Sequence, residues 1–201
     1  MRIVIASSNN GKIREIEQIC AGLDIQFLHL GSLPNAPKTV EDGDTYQENA
    51  TKKALQIACF SNLVALGEDS GLEVDALGGK PGIFSARYAG ETASDDDNNR
   101  KLLHDLKNTP FEKRTARYRS CIVITTPENV KAVADGVCEG VIATEPKGQN
   151  GFGYDPLFYV SKYKKTMAEL PGEIKNRISH RAWALEKIKP FLQTLIKNLD
   201  K

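Results

Sequence analysis

Residues 1–23 read MRIVIASSNNGKIREIEQICAGL, and this stretch decides the fold class. A short apolar run at 2–6 ends at a polar loop, after which apolar residues recur at helical spacing from Ile13 onward. The order of strand, polar loop and amphipathic helix is typical of α/β proteins. The apolar run is too short for the core of a signal peptide, so it indicates a first strand.

The same order continues along the first half of the chain. Three segments follow the first helix: a strand at 25–30, a loop at 31–44 and a buried strand at 63–66. Between the last two, helical spacing begins at Thr45, which is the expected N-cap, and Glu48 completes a capping box. The strand at 63–66 leads into the polar turn GEDSG at 67–71. Two strand–helix–strand passages predict an α/β sheet.

The second half also predicts alternating elements. Four segments have clear boundaries: a polar helix at 94–107 that Ser94 opens, strands at 115–126 and 130–142, and a short strand near 157–160. The two long strands are separated by three residues, which favours a hairpin. From about Asn176 apolar residues recur at helical spacing, and Pro190 either kinks one helix or divides two. With no repeat and no linker, residues 1–201 are expected to form one domain.

The charge balance limits the classes of partner. The chain carries 27 Lys and Arg against 26 Asp and Glu, a net charge of +1. Residues 1–100 carry −6 and residues 101–201 carry +7. This asymmetry fits either an interaction surface or two solvated faces. A near-neutral total argues against a polybasic nucleic-acid binder, so no nucleic-acid partner is expected.

Composition also predicts the environment. The chain is 40% hydrophobic and 26% charged, like an ordinary globular protein, and has no apolar run of membrane-spanning length. No membrane partner is therefore expected. The four cysteines are far apart in sequence and form no CxxC motif, which favours a reduced, cytoplasmic protein: Cys20, Cys59, Cys121 and Cys138.

The polar loop after the first strand is a candidate phosphate site. It lies between a buried strand and a helix, where backbone N–H groups and a lysine can face an anion. The spacing is not that of a Walker A loop, and such a turn is also common without a ligand. The candidate residues are consecutive: Ser7, Ser8, Asn9, Asn10, Gly11 and Lys12.

Two acidic clusters occur in the first half of the chain, and the second is a candidate metal site. The first, at 41–44, precedes the capped helix, whereas Glu68-Asp69 follows the apolar strand at 63–66, at the strand end where open α/β sheets place ligands. Mg²⁺ takes one or two carboxylates and fills its other positions with water and phosphate oxygens. A solvated turn is the alternative interpretation of the second cluster.

Two further segments could bind a flat ring. The loop at 148–156 has three glycines around Phe152 and Tyr154, either of which could stack on a base. An ordinary loop with two buried aromatics is equally compatible. Lys175, His180 and Arg181 could donate hydrogen bonds to base carbonyls, although a histidine at a helix start is more often a capping or core residue.

Five sequence blocks together resemble one known family. They are SSNNGK at 7–12, EDGDTYQENA at 41–50, DSGL at 69–72 with GGKPGIFSAR at 78–87, GFGYDP at 151–156, and SHR at 179–181. The chain resembles the non-canonical purine nucleoside triphosphate pyrophosphatases, the inosine/xanthosine triphosphatase family called Ham1-like or RdgB-like. Ser7 stands where the family usually has threonine, and the hydroxyl is retained.

The resemblance implies a fold and an activity. The fold would be an elongated mixed β-sheet with flanking helices in two lobes around a central nucleotide cleft, usually in a homodimer. The enzyme would be a Mg²⁺-dependent hydrolase that converts ITP, dITP and XTP to the monophosphate and pyrophosphate. It would thereby remove deaminated purine nucleotides from the pool.

The resemblance also implies residue roles. Glu41 and Asp69 would hold Mg²⁺, with Glu68 as a further ligand or a supporting residue. Lys12 and Lys53 would balance charge on the triphosphate, which the 7–12 loop would cradle. Asp69 is the family's proton acceptor, although a metal-bound carboxylate is a poor base, so we favour a positioning role for it.

The remaining implied roles concern the nucleoside. Ser70 would touch the nucleotide. Residues Phe152, Gly153, Tyr154 and Asp155 would enclose the base. Lys175, His180 and Arg181 would donate hydrogen bonds to the 6-keto edge of hypoxanthine or xanthine. Adenine presents a donor at that position, so a pocket lined by donors should reject it.

Two alternative functions remain open. A Maf-like nucleotide pyrophosphatase would prefer other nucleotides, but its first motif normally carries a basic pair where this chain has Asn10-Gly11-Lys12. A non-catalytic nucleotide-binding protein would keep the fold without the chemistry. The presence of both Glu41 and Asp69 argues against it, because binding alone has little need of a two-carboxylate metal site.

Overall fold

The computed structural model describes residues 1–199; Asp200 and Lys201, the end of the predicted domain 1–201, lie outside the described residues. The described part contains the following strands: β1 (Arg2–Ile5), β2 (Gln26–His29), β3 (Val64–Val74), β4 (Thr115–Thr125), β5 (Val130–Ile142), β6 (Phe158–Val160) and β7 (Lys165–Thr166). Its α-helices are α1 (Asn10–Ile19), α2 (Tyr46–Ser61), α3 (Asp95–Asp105), α4 (Gly172–Ile178) and α5 (His180–Leu199). None of these helices is long and apolar enough to cross a membrane.

The strands form one mixed sheet in the order β2-β1-β3-β4-β5-β6-β7. Strand β1 pairs in parallel with β2, where Ile3 lies opposite Phe27, and with β3, where Ile3 lies opposite Val64. Strands β5, β6 and β7 pair antiparallel. Neighbouring strands β4 and β5 are joined by the short turn at 126–129, which agrees with the predicted hairpin. The predicted mixed α/β class is confirmed.

The chain divides into two compact units. Unit 1 contains residues 1–69, 120–136 and 181–199 of the described chain, and unit 2 contains residues 70–119 and 137–180. The divisions fall inside β3, β4 and β5 and at the start of α5. Each unit has its own core and its own group of candidate site residues.

Unit 1 is built on strands that are buried on both faces. Along β1, Ile3 and Ile5 pack in one apolar cluster with α1 and α5, whereas Val4 packs in another with α2 residues such as Ile57. Successive side chains of a strand point to opposite faces, so a continuous apolar run suits a strand covered on both sides. The start of α1 follows this buried strand after the loop at 6–9.

The core of unit 2 is formed by β3, β4, β5, β6 and α3. Leu72, Leu102 and Phe158 are fully buried in it, and Tyr118 packs against Phe158 with ring centroids 4.5 Å apart. Helix α3 begins with the predicted Ser94 cap, whose hydroxyl accepts from the Asp97 N–H in a complete capping box. This cap places the first turn of α3 in a defined orientation.

The expectation that β3 ends before the segment GEDSG was wrong. The strand continues through it to Val74, and the Glu68 and Asp69 side chains are buried within the strand, 1% and 4% exposed. Gly67 allows this packing, because a Cβ there would lie 2.2 Å from the Ala50 carbonyl oxygen of α2. The carboxylates are buried because the tertiary structure supplies their partners, and the solvated-turn alternative is excluded.

Two predictions about helix ends also differ from the structure. The C-terminal helical pattern is divided at Ser179, which has extended backbone between α4 and α5, whereas Pro190 lies inside α5. At the start of α2, Thr45 caps Glu48 N–H as predicted, but Glu48 Oε2 accepts from the N–H of Asp44 at 2.8 Å. The Glu48 side chain therefore holds Asp44, the residue before the N-cap, and not Thr45 as the predicted capping box requires. Strand β7 was not predicted.

Candidate active site

The first strand–helix junction presents an anion-binding geometry. Asn9 caps α1 by accepting from the Lys12 N–H at 3.0 Å, and Ser7 Oγ accepts from the Asn9 N–H at 3.1 Å. Asn10, Gly11 and Lys12 form the first turn of α1, and Ser8 precedes the cap. The first backbone N–H groups of a helix have no partner within the helix and favour an anion. The predicted phosphate loop therefore lies partly in a helix.

The Lys53 ammonium group in α2 contacts both predicted metal ligands. Its Nζ lies 3.0 Å from Asp69 Oδ1 and 3.2 Å from Glu41 Oε2. All three residues belong to unit 1. Segments far apart in sequence thus bring two carboxylates and one cation together. A buried ammonium group with two carboxylate partners holds both at defined positions.

The carboxyl groups of the cluster differ in pKa. Burial disfavours the ionised form of both acids, whereas the charges of Lys53 and Lys12 favour it. At Glu41 the lysines prevail and the pKa is lowered. At Asp69 burial prevails, with a further contribution from Glu41, and the pKa is raised.

Lys12 belongs to the same electrostatic cluster. Burial lowers the pKa of Lys12, and the cations of Lys53 and Arg181 lower it further, while Glu68 and Asp69 oppose this effect. A desolvated ammonium group is stabilised by an added anion, because the anion restores the electrostatic interactions lost on burial. The group is therefore suited to face a phosphate.

Asn49 in α2 connects the Glu41 loop to Asp69. Its Oδ1 accepts from the Gly43 N–H at 2.8 Å, and its Nδ2 donates to Asp69 Oδ2 at 3.3 Å. The side chain is buried, so both contacts are shielded from water. A Cβ on Gly43 would lie 2.9 Å from Asn49 Oδ1, which explains the glycine there. One amide group thus sets the position of the loop that carries Glu41.

The oxygen donors of Glu41 and Asp69 fit a hard divalent cation. Both are carboxylates, they interact directly, and Mg²⁺ uses one or two carboxylates together with water and phosphate oxygens. Within residues 1–199 no group of three or more His, Cys, Asp and Glu side chains is arranged to hold a metal ion. Any Mg²⁺ bound here would therefore need oxygen ligands from the substrate or from water.

Glu68, the neighbour of Asp69, lies in a separate buried network. Its carboxylate pairs with the Arg181 guanidinium, which also pairs with Glu15 of α1, and it accepts from Ser120 Oγ at 2.9 Å. Glu68 is therefore engaged in this network. Arg181, predicted at the base edge, contacts these two acids within unit 1, and its predicted contact with a base stays a prediction.

In unit 2 the predicted base loop is held by a second buried ion pair. Lys175 of α4 pairs with Asp155, and its Nζ lies 4.5 Å from the centroid of the Phe152 ring. Asp155 Oδ2 also accepts from the Phe152 N–H at 2.9 Å. Gly151 is required because its φ is +76° and a Cβ would lie 1.9 Å from Asp155 Oδ2.

The two aromatic residues of this loop have different environments. Tyr154 is buried in the core of unit 2 and donates from its hydroxyl to the Ser85 carbonyl at 2.8 Å, and its predicted role in enclosing the base stays a prediction. Phe152 is only half-buried and is the ring that could stack on a base. Ser70 lies in β3, half-buried, and its predicted nucleotide contact stays a prediction.

His180 is buried at the start of α5 and stacks on Tyr118, with ring centroids 4.7 Å apart and planes at 15°. The Tyr118 hydroxyl lies 3.4 Å from Asp155 Oδ1. Tyr118 therefore contacts two predicted site residues. Tyr118 follows the ordinary alternation of β4, so nothing in the sequence marks it as a partner of these residues. Nothing in the sequence marks Glu15 as the partner of Arg181 either, because it lies on the largely apolar face of α1.

Comparison with known proteins identifies the family of the chain. The model of the Ham1 family matches residues 3–191. A dITP/XTP pyrophosphatase from Geobacter sulfurreducens is 51% identical over 95% of this chain and 96% of its own. One from Desulforamulus reducens is 49% identical over 97% of each chain.

Solved structures give the same result. A HAM1 protein from Coxiella burnetii superposes with a TM-score of 0.87 at 41% identity, covering 96% of this chain and 99% of its own. The Ham1 protein of Staphylococcus aureus superposes with a TM-score of 0.85 at 43% identity and the same coverage. These matches cover nearly the full length of the chain, which therefore belongs to the Ham1 family.

Proposed function

We propose that this protein hydrolyses the deaminated purine nucleoside triphosphates dITP, ITP and XTP to the monophosphate and pyrophosphate, with Mg²⁺ as cofactor. The cluster of Lys12, Lys53, Glu41 and Asp69 carries the proposal, because it combines cations for a triphosphate with oxygen ligands for a metal. Membership of the Ham1 family and the similarity to dITP/XTP pyrophosphatases support the same activity.

In the proposed reaction, water attacks phosphorus at the α–β phosphoanhydride. A bond forms between the water oxygen and the α-phosphorus, the P–O bond to the bridging oxygen breaks, pyrophosphate leaves with that electron pair, and the water proton passes to the leaving pyrophosphate or to solvent. Backbone N–H groups at the start of α1 and the Lys12 ammonium group stabilise charge on the phosphate oxygens. Lys53 favours the ionised form of Glu41 and Asp69 and holds both side chains in place.

Glu41 and Asp69 would hold the Mg²⁺ ion. When bound, the ion supplies charge neutralisation and lowers the pKa of coordinated water. Asp69 acts mainly by positioning, because a carboxylate bound to a cation is a weak base. An Asp69→Asn variant that binds Mg²⁺ and ITP normally yet has lost turnover would contradict this role.

Base recognition is assigned to unit 2. Lys175 and His180 donate to the 6-keto oxygen, and the half-buried Phe152 ring packs on the purine. Adenine carries an amino donor where hypoxanthine and xanthine carry an acceptor, so bound adenine would leave buried donors unpaired. Such mismatches give large discrimination between substrates.

Purified protein incubated with Mg²⁺ and dITP, XTP, GTP or ATP tests this function. We expect monophosphate and pyrophosphate from dITP and XTP, at rates far above those for ATP. Release of orthophosphate with diphosphate would overturn the reaction class, and equal rates on ATP would overturn the specificity. Nucleotide binding without turnover would identify a non-catalytic nucleotide-binding protein.

The homodimer and the cytoplasmic location belong to the same proposal. The family resemblance supports the dimer, and light scattering on the purified chain should give twice the chain mass. The four cysteine thiols are free and three are buried, which suits a reducing compartment.

A further inference from the structure

Two residues of α3 hold both backbone polar groups of Gly153 in the base loop. Asp95 Oδ2 accepts from the Gly153 N–H at 2.6 Å, and Asn99 Nδ2 donates to the Gly153 carbonyl oxygen at 2.9 Å. Residues four apart lie on the same side of a helix, so both side chains can reach one target. Because the donor and the acceptor of the Gly153 residue are both engaged, its orientation is fixed.

Gly153 lies at a sensitive point of the loop. Its φ is +62°, in the left-handed region, and it directly follows Phe152. The Phe152 N–H is held by Asp155, so the loop is anchored on both sides of this ring. A change at Gly153 would therefore redirect the Phe152 side chain.

The Asn99 amide is not explained by stability alone. Asn99 is buried, and within residues 1–199 its Oδ1 has no hydrogen-bond partner. A buried polar atom without a partner costs folding free energy and is tolerated mainly at functional sites. The adjacent Asn98 differs, because both of its amide atoms are paired, with Ala89 N–H and the Ala86 carbonyl.

We propose that Asp95 and Asn99 are positioning residues for base recognition: they orient the Gly153 backbone, through the peptide group on each side of its Cα, and thereby Phe152. This inference rests on the proposed function, which places Phe152 against the purine. They touch the loop and not the phosphates, so their loss should weaken substrate binding more than the chemical step.

Steady-state kinetics with XTP and dITP test the proposal. Removing one hydrogen bond to a charged or buried partner corresponds to about a tenfold change in binding. Asp95→Ala and Asn99→Ala should therefore raise KM about tenfold, with kcat changed much less. Asp95→Asn retains an oxygen acceptor and should stay close to wild type, whereas Asn99→Asp replaces the donor and should resemble Asn99→Ala.

Asp96→Ala is the matched control, since it removes the same charge from the same exposed turn of α3. It should leave KM unchanged. Equal effects of Asp95→Ala and Asp96→Ala, or an unchanged KM in both Asp95→Ala and Asn99→Ala, would overturn the proposal.

Hydrogen–deuterium exchange gives a readout that is independent of activity. The Gly153 amide should exchange faster in Asp95→Ala than in wild type and in Asp96→Ala, at unchanged melting temperature. Unchanged exchange would overturn the positioning role. A wild-type protein inactive on XTP and dITP would instead contradict the proposed function, and the exchange result would still report on the contact itself.

Discussion

Arg181 forms two parallel hydrogen bonds with Glu68, from Nε to Oε2 at 2.9 Å and from Nη2 to Oε1 at 2.8 Å. Both side chains are buried, and Arg181 also pairs with Glu15. This paired geometry is the strong form of an Arg–carboxylate contact. It ties Glu68, in the middle of β3, to the first turn of α5. Glu68 directly precedes Asp69 in the strand.

Replacing Arg181 should destabilise the fold. Arg181→Met leaves two buried carboxylates without their cation, and breaking a buried ion pair from one side costs about 3–5 kcal/mol. Urea unfolding measures this loss. Arg100→Ala, which breaks the exposed pair with Asp97, should change the unfolding free energy by less than about 1 kcal/mol. A similar small change for Arg181→Met would contradict the role of the network.

Asp69→Asn should separate activity from stability. The variant keeps the side-chain shape but removes a metal ligand and the negative partner of Lys53, so Mg²⁺ should bind more weakly and the rate at sub-saturating Mg²⁺ should fall by at least about 100-fold. Turnover of dITP as a function of Mg²⁺ concentration measures both effects. Residual activity near wild type would contradict the assignment of Asp69 to the reacting centre.

The same variant tests the raised pKa of Asp69 when metal is removed with EDTA. A group whose pKa is raised in the folded state contributes stability that is lost as pH rises through the folded pKa. The difference in unfolding free energy between wild type and Asp69→Asn should therefore shift against wild type as pH rises through the acidic range. A constant difference would contradict the raised pKa.

Asn49 should control metal affinity without touching the metal. Asn49→Ala removes the contacts to Gly43 and Asp69. Loss of such a supporting residue typically weakens metal affinity by about 10–100-fold. Asn49→Asp keeps the acceptor for the Gly43 N–H, loses the donor to Asp69 and adds a repelling charge, so it should not restore activity. The Mg²⁺ concentration for half-maximal rate measures both. Asn98→Ala, a buried asparagine of unit 2, is the control and should leave that concentration unchanged.

Gly151→Ala should damage base recognition. The added Cβ meets Asp155 Oδ2 at 1.9 Å and Lys175 Nζ at 3.1 Å, so the ion pair beside Phe152 must move. KM for dITP should rise and the melting temperature should fall. Gly79 has a similar φ, +86°, and a Cβ there would meet nothing within 4 Å. Gly79→Ala should therefore lower the unfolding free energy only by the cost of left-handed backbone, about 1–2 kcal/mol. Equal KM values for the two variants would contradict this explanation.

Thiol labelling should distinguish the four cysteines. Burial raises the pKa of Cys20 and Cys138 to about 11 and that of Cys121 to about 12, so these thiols remain protonated at pH 8. Cys59 is exposed on α2. A disulfide reagent should label one thiol quickly in the native protein, and none quickly in Cys59→Ser. Rapid labelling of several native thiols would contradict the buried environments.

Most elements could be predicted from the sequence because their signals are local. The apolar run before α1, the Ser94 cap and the two long strands of the hairpin depend on spacing within a few residues. The site motifs were recognisable for the same reason, since glycines, lysines and carboxylates stand at fixed intervals along the chain. The environments of Phe152 and Tyr154 could not be predicted in this way. Both aromatics lie in one glycine-rich loop, yet Tyr154 is buried and Phe152 is half-buried.

By itself, the sequence determined the α/β class, the family resemblance and the residue types available for a phosphate and a metal. Only the tertiary structure decided that Glu68 and Asp69 lie buried inside β3 and that Arg181 pairs with acids. The physical reason is the cost of burying charge, which is met only by partners in place. Those partners are distant: Arg181 lies 113 positions from Glu68, and Lys53 lies 16 from Asp69. Local patterns carry no information about such pairs, so the folded chain alone sets which carboxylate is held by which cation.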